Sequence, residues 1–177
     1  MHWAVYLAAQ GYRCVLVDLR GHGRSTGDWV GFGALEVADL KQLLDDLERR
    51  GLLEGKLGVM GVSYGASCGL LLAAKDPRVS TLVALEPYSD ARSAIVEFAH
   101  GVAPKQAAKI SAATFQAAVQ KAPRLGGFSW ADADVAAAAA NVKVPVLIFH
   151  GARDTWLLPK NSEVLAAKLG GEKVLRI

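Results

Sequence analysis

Short, largely apolar runs that alternate with helix-length segments constrain this chain more than any other feature. Arg13 to Leu19 (RCVLVDL), Lys56 to Val62, Val79 to Leu85 (VSTLVAL) and Val144 to His150 (VPVLIFH) read as strands, and Lys173 to Ile177 as the start of another. Apolar continuity, rather than strict alternation, suits strands buried on both faces. Helical patterns lie between them. Ala4 to Gln10 ends at Gly11, a residue type that accepts the left-handed conformation at helix ends. Within Leu35 to Arg50, Leu40, Leu43, Leu44 and Leu47 stand at i, i+3, i+4 and i+7, with Asp45, Asp46, Glu48 and Arg49 on the other side. Tyr64 to Lys75 and Pro159 to Leu169 are the remaining helices of this kind. The order predicts an α/β chain, a mostly parallel sheet with helices on both faces.

Residues Glu86 to Asn141 break the rhythm. They are Ala-rich and contain no strand-like run. Lys105 to Lys121 carries Ala108, Ala112, Phe115 and Val119 at helical spacing, and Ser129-Trp130-Ala131-Asp132 has the form of a capping box opening a helix through Ala140. The expectation is one domain over 1–177 with a helical insertion, 86–141, acting as a lid or cap. An elaborate crossover lying on the sheet is the alternative. Phe98, Phe115, Phe128 and Trp130 would then form either an apolar wall over a pocket or the insertion's own core.

At 177 residues, with 52% apolar and 21% charged side chains, the chain suits a single globular domain. No apolar run approaches the roughly 20 residues that span a bilayer. A net charge of +3, with Lys and Arg scattered among acids, excludes the basic stripe expected of a nucleic-acid binder. Two cysteines, Cys14 and Cys68, form neither a disulfide framework nor a metal site and read as buried thiols of a reducing, cytoplasmic compartment.

The chemistry centres on Gly61-Val62-Ser63-Tyr64-Gly65, which joins an apolar run to a helix. A serine between two glycines at a sharp strand-to-helix turn is the pattern of a nucleophile elbow, in which side chains at either glycine would collide with backbone. A serine that merely caps the helix is the competing reading. A hydroxyl needs a base in contact with it, usually a histidine oriented by a carboxylate. Asp154, in the loop after Val144 to His150, stands where such a carboxylate can reach the end of a parallel sheet, although a turn or cap would also use an aspartate there.

The chain resembles the α/β-hydrolases, in particular the lid-bearing serine hydrolases that include serine aminopeptidase-like and esterase-like members. Three motifs carry the resemblance in the family's order. They are Asp18-Leu19-Arg20-Gly21-His22-Gly23-Arg24-Ser25, the Gly61–Gly65 elbow and His150-Gly151-Ala152-Arg153-Asp154. The resemblance implies Ser63 as nucleophile, Asp154 as the triad acid and the backbone N–H of Tyr64 as an oxyanion donor. It implies a small-molecule acyl substrate (an ester, thioester or amide) and no cofactor; no metal site is read from the sequence, and charge distribution and run length argue against nucleic acid and membrane as partners.

Two departures qualify it. The family's histidine follows the last strand, and none of His2, His22, His100 and His150 stands there. The family also has three strands ahead of the helix that opens this chain, and the last of them normally separates the Arg13 to Leu19 strand from the elbow strand. Without it the sheet has an open middle, which invites self-association through unpaired edges. Both departures fit a fragment of a longer protein with little hydrolase turnover of its own. A non-catalytic binding module, or pseudo-enzyme, of the same fold is the alternative.

Overall fold

The computed structural model describes residues 2–177, the side chain of His2 excepted. Helix α1 (His2–Ala9) is followed by Gly11 at φ 89°, while the N–H of Tyr12 bonds back to the Leu7 carbonyl at 3.1 Å. After a long loop come α2 (Glu36–Arg49), β1 (Leu57–Val62), α3 (Tyr64–Lys75) and β2 (Val79–Leu85). The insertion holds α4 (Ala91–Val102), α5 (Pro104–Ala107), α6 (Ala112–Gly126) and α7 (Val135–Ala138). Then β3 (Val146–Phe149), α8 (Lys160–Lys168) and β4 (Lys173–Arg176) complete the chain.

The four strands form one parallel sheet in the order β1-β2-β3-β4. Gly61 pairs with Ala84, Ala84 with Ile148 and Ile148 with Leu175, so one register line crosses the whole sheet. This is the predicted α/β architecture. Helix α3 lies across β1 and β2, α8 lies across β3 and β4, and α2 packs on α3. A run of small and apolar residues, broken only by Ser67, lets α3 bury every residue from Ala66 to Leu72. Leu70, Leu82, Ile148 and Leu165 are fully enclosed at the centre of the core. A buried polar knot closes the far end. Arg78 bonds Asp76, whose side chain is 1% exposed, and reaches Asp45 of α2 at 2.7 Å. Covering of the two faces is uneven. Met60, Val62, Leu147 and Phe149, which alternate with the core-facing residues, stand exposed.

The stretch 13–19 departs from expectation. It forms no strand, and Val15, Leu16 and Val17 are 45–59% exposed rather than buried on both faces. A run of strand-like residues becomes a strand only by pairing, and no neighbour meets it; β1 pairs with β2 alone. Arg13 ties this stretch to the Leu52 carbonyl through one guanidinium hydrogen bond of 2.8 Å.

The insertion also differs in detail. The helix expected over 105–121 is divided into α5 and α6, because the Ser111 side chain accepts the N–H of Thr114 and starts a new helix there. The cap expected at Ser129 forms only a local turn to the Ala131 N–H. Asp134 caps α7 by accepting the N–H of Ala137, and a single 3-10 turn, Ala139–Asn141, follows.

Candidate active site

Strand β1 delivers Ser63 to the end of the sheet in a conformation few side chains adopt, φ 48° and ψ −112°. Such a backbone costs about 1–3 kcal/mol and persists only where the surroundings hold it. Here the Ser63 N–H donates to the Leu85 carbonyl at 2.7 Å, and the Ser63 carbonyl accepts from the Ser67 N–H at 3.1 Å. The Ser63 side chain makes no capping hydrogen bond, so the hydroxyl is not consumed in starting α3. Gly61 is needed for the turn, since a Cβ there would fall on the backbone of Gly65 and Ala66. Gly65 itself looks into open space, contrary to the expectation that both glycines avoid a collision. The close approach is one-sided: the Gly61 Cα faces the Gly65 backbone. The N–H of Tyr64 belongs to the first turn of α3, where helix N–H groups lack intrahelical partners and the helix dipole favours negative charge.

A buried carboxylate that the sequence did not single out supports the elbow from beneath. Glu36, wholly enclosed at the start of α2, accepts the N–H groups of Gly31 and Gly33, each at 2.7 Å. This pins a loop in which Phe32 and Gly33 both have positive φ. At Gly33 a side chain would also strike Leu71 of α3. Phe32 in turn donates its N–H to the Tyr64 hydroxyl at 2.9 Å and accepts from the Tyr88 hydroxyl at 3.3 Å. Ser67 both donates to the Tyr88 carbonyl and accepts its N–H. Burial pushes the Tyr64 and Tyr88 phenols and the Cys68 thiol well above their ordinary ranges, keeping all three protonated.

Ser63 opens into a cavity of about 740 Å³ also lined by Glu86, Phe98, Arg153, Asp154 and Trp156. Phe98 of α4 meets Trp156 edge-to-face, with ring centroids 6.1 Å apart. One Asp154 oxygen accepts the N–H groups of Trp156 and Leu157 at 2.8 and 3.0 Å. The other stands 3.5 Å from His150 Nε2. His150 is fully buried, with Nε2 2.9 Å from the Leu157 carbonyl and Nδ1 2.6 Å from the Ser162 hydroxyl. A carbonyl only accepts, so Nε2 carries a proton, while Nδ1 shares a hydrogen bond with the Ser162 hydroxyl. Both ring nitrogens are thereby committed, Nε2 to the Asp154 loop and Nδ1 to α8.

Glu86 was missed by the sequence reading. It stands directly after β2 at φ 53°, its N–H bonded to the Phe149 carbonyl at 2.7 Å. A Cβ placed on Gly151 would lie 3.5 Å from its carboxylate. The rule that selected Asp154, a carboxylate just past the end of a parallel strand, selects Glu86 equally well. The cavity therefore holds two carboxylates and one guanidinium.

His22, His100 and His150 do not line this cavity. The His22 Nδ1 bonds the Arg20 carbonyl at 2.9 Å, and its ring rests on Tyr64 with centroids 5.3 Å apart. His100 sits against Phe115 in the insertion, and the His2 side chain lies outside the described residues. The Asp18 loop is internally tied. Asp18 accepts the Arg24 N–H, Ser25 donates to the Asp18 carbonyl, and Gly23 leaves room for the Asp18 carboxylate. Arg20 clamps the loop to α2 through two 2.7 Å bonds to Asp39. Among the described residues no group of three or more His, Cys, Asp or Glu is placed to hold a metal ion, and no helix is long and apolar enough to cross a membrane.

The sequence profile of the family described as X-Pro dipeptidyl-peptidase (S15 family) matches residues 1–127, the elbow included. The chain belongs to this family. Solved structures place the S15 chain in the α/β-hydrolase fold. Acetyl xylan esterase 1 from Thermoanaerobacterium sp. superposes with a TM-score of 0.65 at 20% identity, over 99% of this chain and 62% of that one. An esterase from Pyrococcus furiosus gives a TM-score of 0.70 at 20% identity, over 96% and 63%. A hydrolase from Pseudomonas aeruginosa gives 0.63 at 24% identity, over 99% and 76%. The S15 chain thus spans less than two thirds of the length of the first two. No curated protein sequence matches it.

Proposed function

We propose that this chain carries the nucleophile, the triad acid and one oxyanion donor of a serine hydrolase acting on an ester, thioester or amide. The single observation that carries the proposal is Ser63, held at positive φ with an uncapped hydroxyl, on a cavity it shares with Asp154. Ser63 Oγ would attack the acyl carbon and pass its proton to an imidazole oriented by the Asp154 carboxylate. The Tyr64 N–H would receive the developing oxyanion. The protonated imidazole would then return its proton to the leaving group. Water, deprotonated by the same imidazole, would release the acyl group from Ser63. The insertion would cap the cavity through Phe98 of α4. Acyl substrates are consistent with the esterases of the same fold and with the peptidase in the family's description.

No described imidazole lines the cavity, so the base is assigned to polypeptide outside these 177 residues. Loss of a triad member costs several powers of ten in rate. The chain alone should therefore show little turnover. A fluorophosphonate should modify Ser63 in a polypeptide lengthened at both ends to the size of the solved relatives, and Ser63→Ala should abolish labelling. An unlabelled Ser63 in that longer protein would reject the nucleophile. Ordinary ester turnover by the 177-residue chain, lost in Ser63→Ala, would reject the external base.

A binding module of the same fold is the second reading, favoured by the same lack of an imidazole at Ser63. It predicts no labelling of the longer protein but saturable binding of a non-hydrolysable acyl analogue in the Ser63 cavity.

A further inference from the structure

Helix α4 stands between two cavities. Phe98 faces the Ser63 cavity, while Arg92, Ser93, Val96 and His100 line a second chamber of about 760 Å³. At 100° per residue these four project between 120° and 220° from Phe98, so a single helix walls both spaces from opposite sides. None of the residues around Ser63 lines the second chamber.

The far wall explains why the chamber is there. Helix α6 is 15 residues long and amphipathic, yet it buries none of them. Its apolar stripe, Phe115 and Val119 at i and i+4, faces the chamber together with Ile110 instead of filling a core. Trp130 closes the floor, its indole N–H donating to the Val119 carbonyl at 3.1 Å. An open cleft therefore lies between α4 and α6 where an amphipathic helix would ordinarily be packed. Its volume and its apolar lining with a few polar groups match a small-molecule site.

The polar groups limit the occupant. Arg92, Ser93, His100, Gln116 and Gln120 line the chamber, and the one carboxylate bonded to this set, Asp90, pairs with Arg92 from outside the lining. Asp90 holds Arg92 through its Nε at 2.9 Å, which fixes the guanidinium in place. The fork has four further N–H groups. We propose that this chamber binds an aliphatic monocarboxylate, with its chain along Phe115 and Val119 and its carboxylate at Arg92. The site is separate from Ser63 and does not depend on the chemistry proposed there.

Decanoate titrated calorimetrically into the 177-residue chain should bind saturably with one site. Val119→Trp, which sets an indole across the apolar wall the chain would follow, should abolish binding. Arg92→Gln, a change at a half-exposed side chain, should weaken it about tenfold, as expected for loss of a charge-assisted hydrogen bond. Decanol should bind at least about tenfold more weakly for the same reason. Absence of saturable binding would overturn the proposal. So would binding that survives Val119→Trp and disappears in Ala152→Trp, because the carboxylate would then occupy the Ser63 cavity. Equal affinity for decanol, or no effect of Arg92→Gln, would overturn the choice of a carboxylate. Should Val119→Trp fail to fold by circular dichroism, the Arg92→Gln and decanol comparisons still decide the matter.

Discussion

The stretch 13–19 and strand β3 are both short and apolar, and both lead into a polar loop, but their surroundings differ completely. β3 has a parallel neighbour on each side. Its Leu147 and Phe149 lie opposite Val83 and Leu85 on one side and Val174 and Arg176 on the other. Val146 and Ile148 of β3 are buried under the helices. The stretch 13–19 has no ladder, and its Val15, Leu16 and Val17 point largely to solvent. Fixing a residue's backbone costs roughly 1–2 kcal/mol in entropy. In β3 ladder bonds and burial offset that cost, whereas little in 13–19 does. Strand character is thus a property of a pair of segments, and apolar composition only makes a segment eligible.

The largest effect should come from emptying the packed side of this comparison. Ile148 is fully enclosed on a strand flanked by β2 and β4 and covered by α8. Ile148→Ala should lower the free energy of unfolding by about 2–5 kcal/mol, the range for large-to-small changes in cores. Denaturant unfolding monitored by circular dichroism measures it. A loss below about 1 kcal/mol would mean that the sheet is much looser than β3's neighbours imply.

Polar contacts sharpen the same contrast. Asp76, at the foot of β2, bonds Arg78 with its side chain almost wholly enclosed, and these bonds hold its carboxyl below the usual range. Asp76→Asn should cost about 2 kcal/mol at neutral pH, within the ~1.5–3 kcal/mol of hydrogen bonds to charged groups. The sign of the pH dependence follows from the lowered value. Above the unfolded pKa of about 3.9 the contribution is complete, and it disappears as pH falls through the lower folded value. Wild type and Asp76→Asn should therefore converge in stability in strong acid. Asp46→Asn, which breaks exposed pairs to Arg49 and Arg50 on α2, should change stability by less than about 1 kcal/mol.

These contrasts show which parts of the molecule local sequence encodes. α3 and β2 occupy the ranges read from hydrophobic pattern alone, because each is a single apolar unit with a clear stop, Asp76-Pro77 for the helix and the turn at Glu86 for the strand. Local rules, the elbow and the strand-end carboxylate, picked out Ser63 and Asp154 as candidates, and both residues line one cavity. Glu36 was not legible. Its partners are the N–H groups of Gly31 and Gly33, which no side-chain pattern displays. The division between α5 and α6 turned on one hydroxyl, Ser111, that outcompeted a continuous helical stripe. The exposure of 13–19 was beyond a local reading because it depends on what lies beside the segment.

The smallest expected effect tests the exposed side. Leu16 is 59% exposed in an unpaired stretch, so Leu16→Ser should shift stability by no more than about 0.5 kcal/mol. The amide protons of 13–18 should exchange with solvent far faster than those of 146–149, since only the latter belong to a sheet. The comparison breaks if Leu16→Ser costs 2 kcal/mol or more, for then the side chain is buried in solution. Repeating the measurement over a hundredfold range of protein concentration identifies what buries it. A cost that grows with concentration would mean a second copy pairing along the stretch, as an open strand edge permits. A cost independent of concentration would mean that the segment closes onto its own chain, and the contrast with β3 would be one of degree.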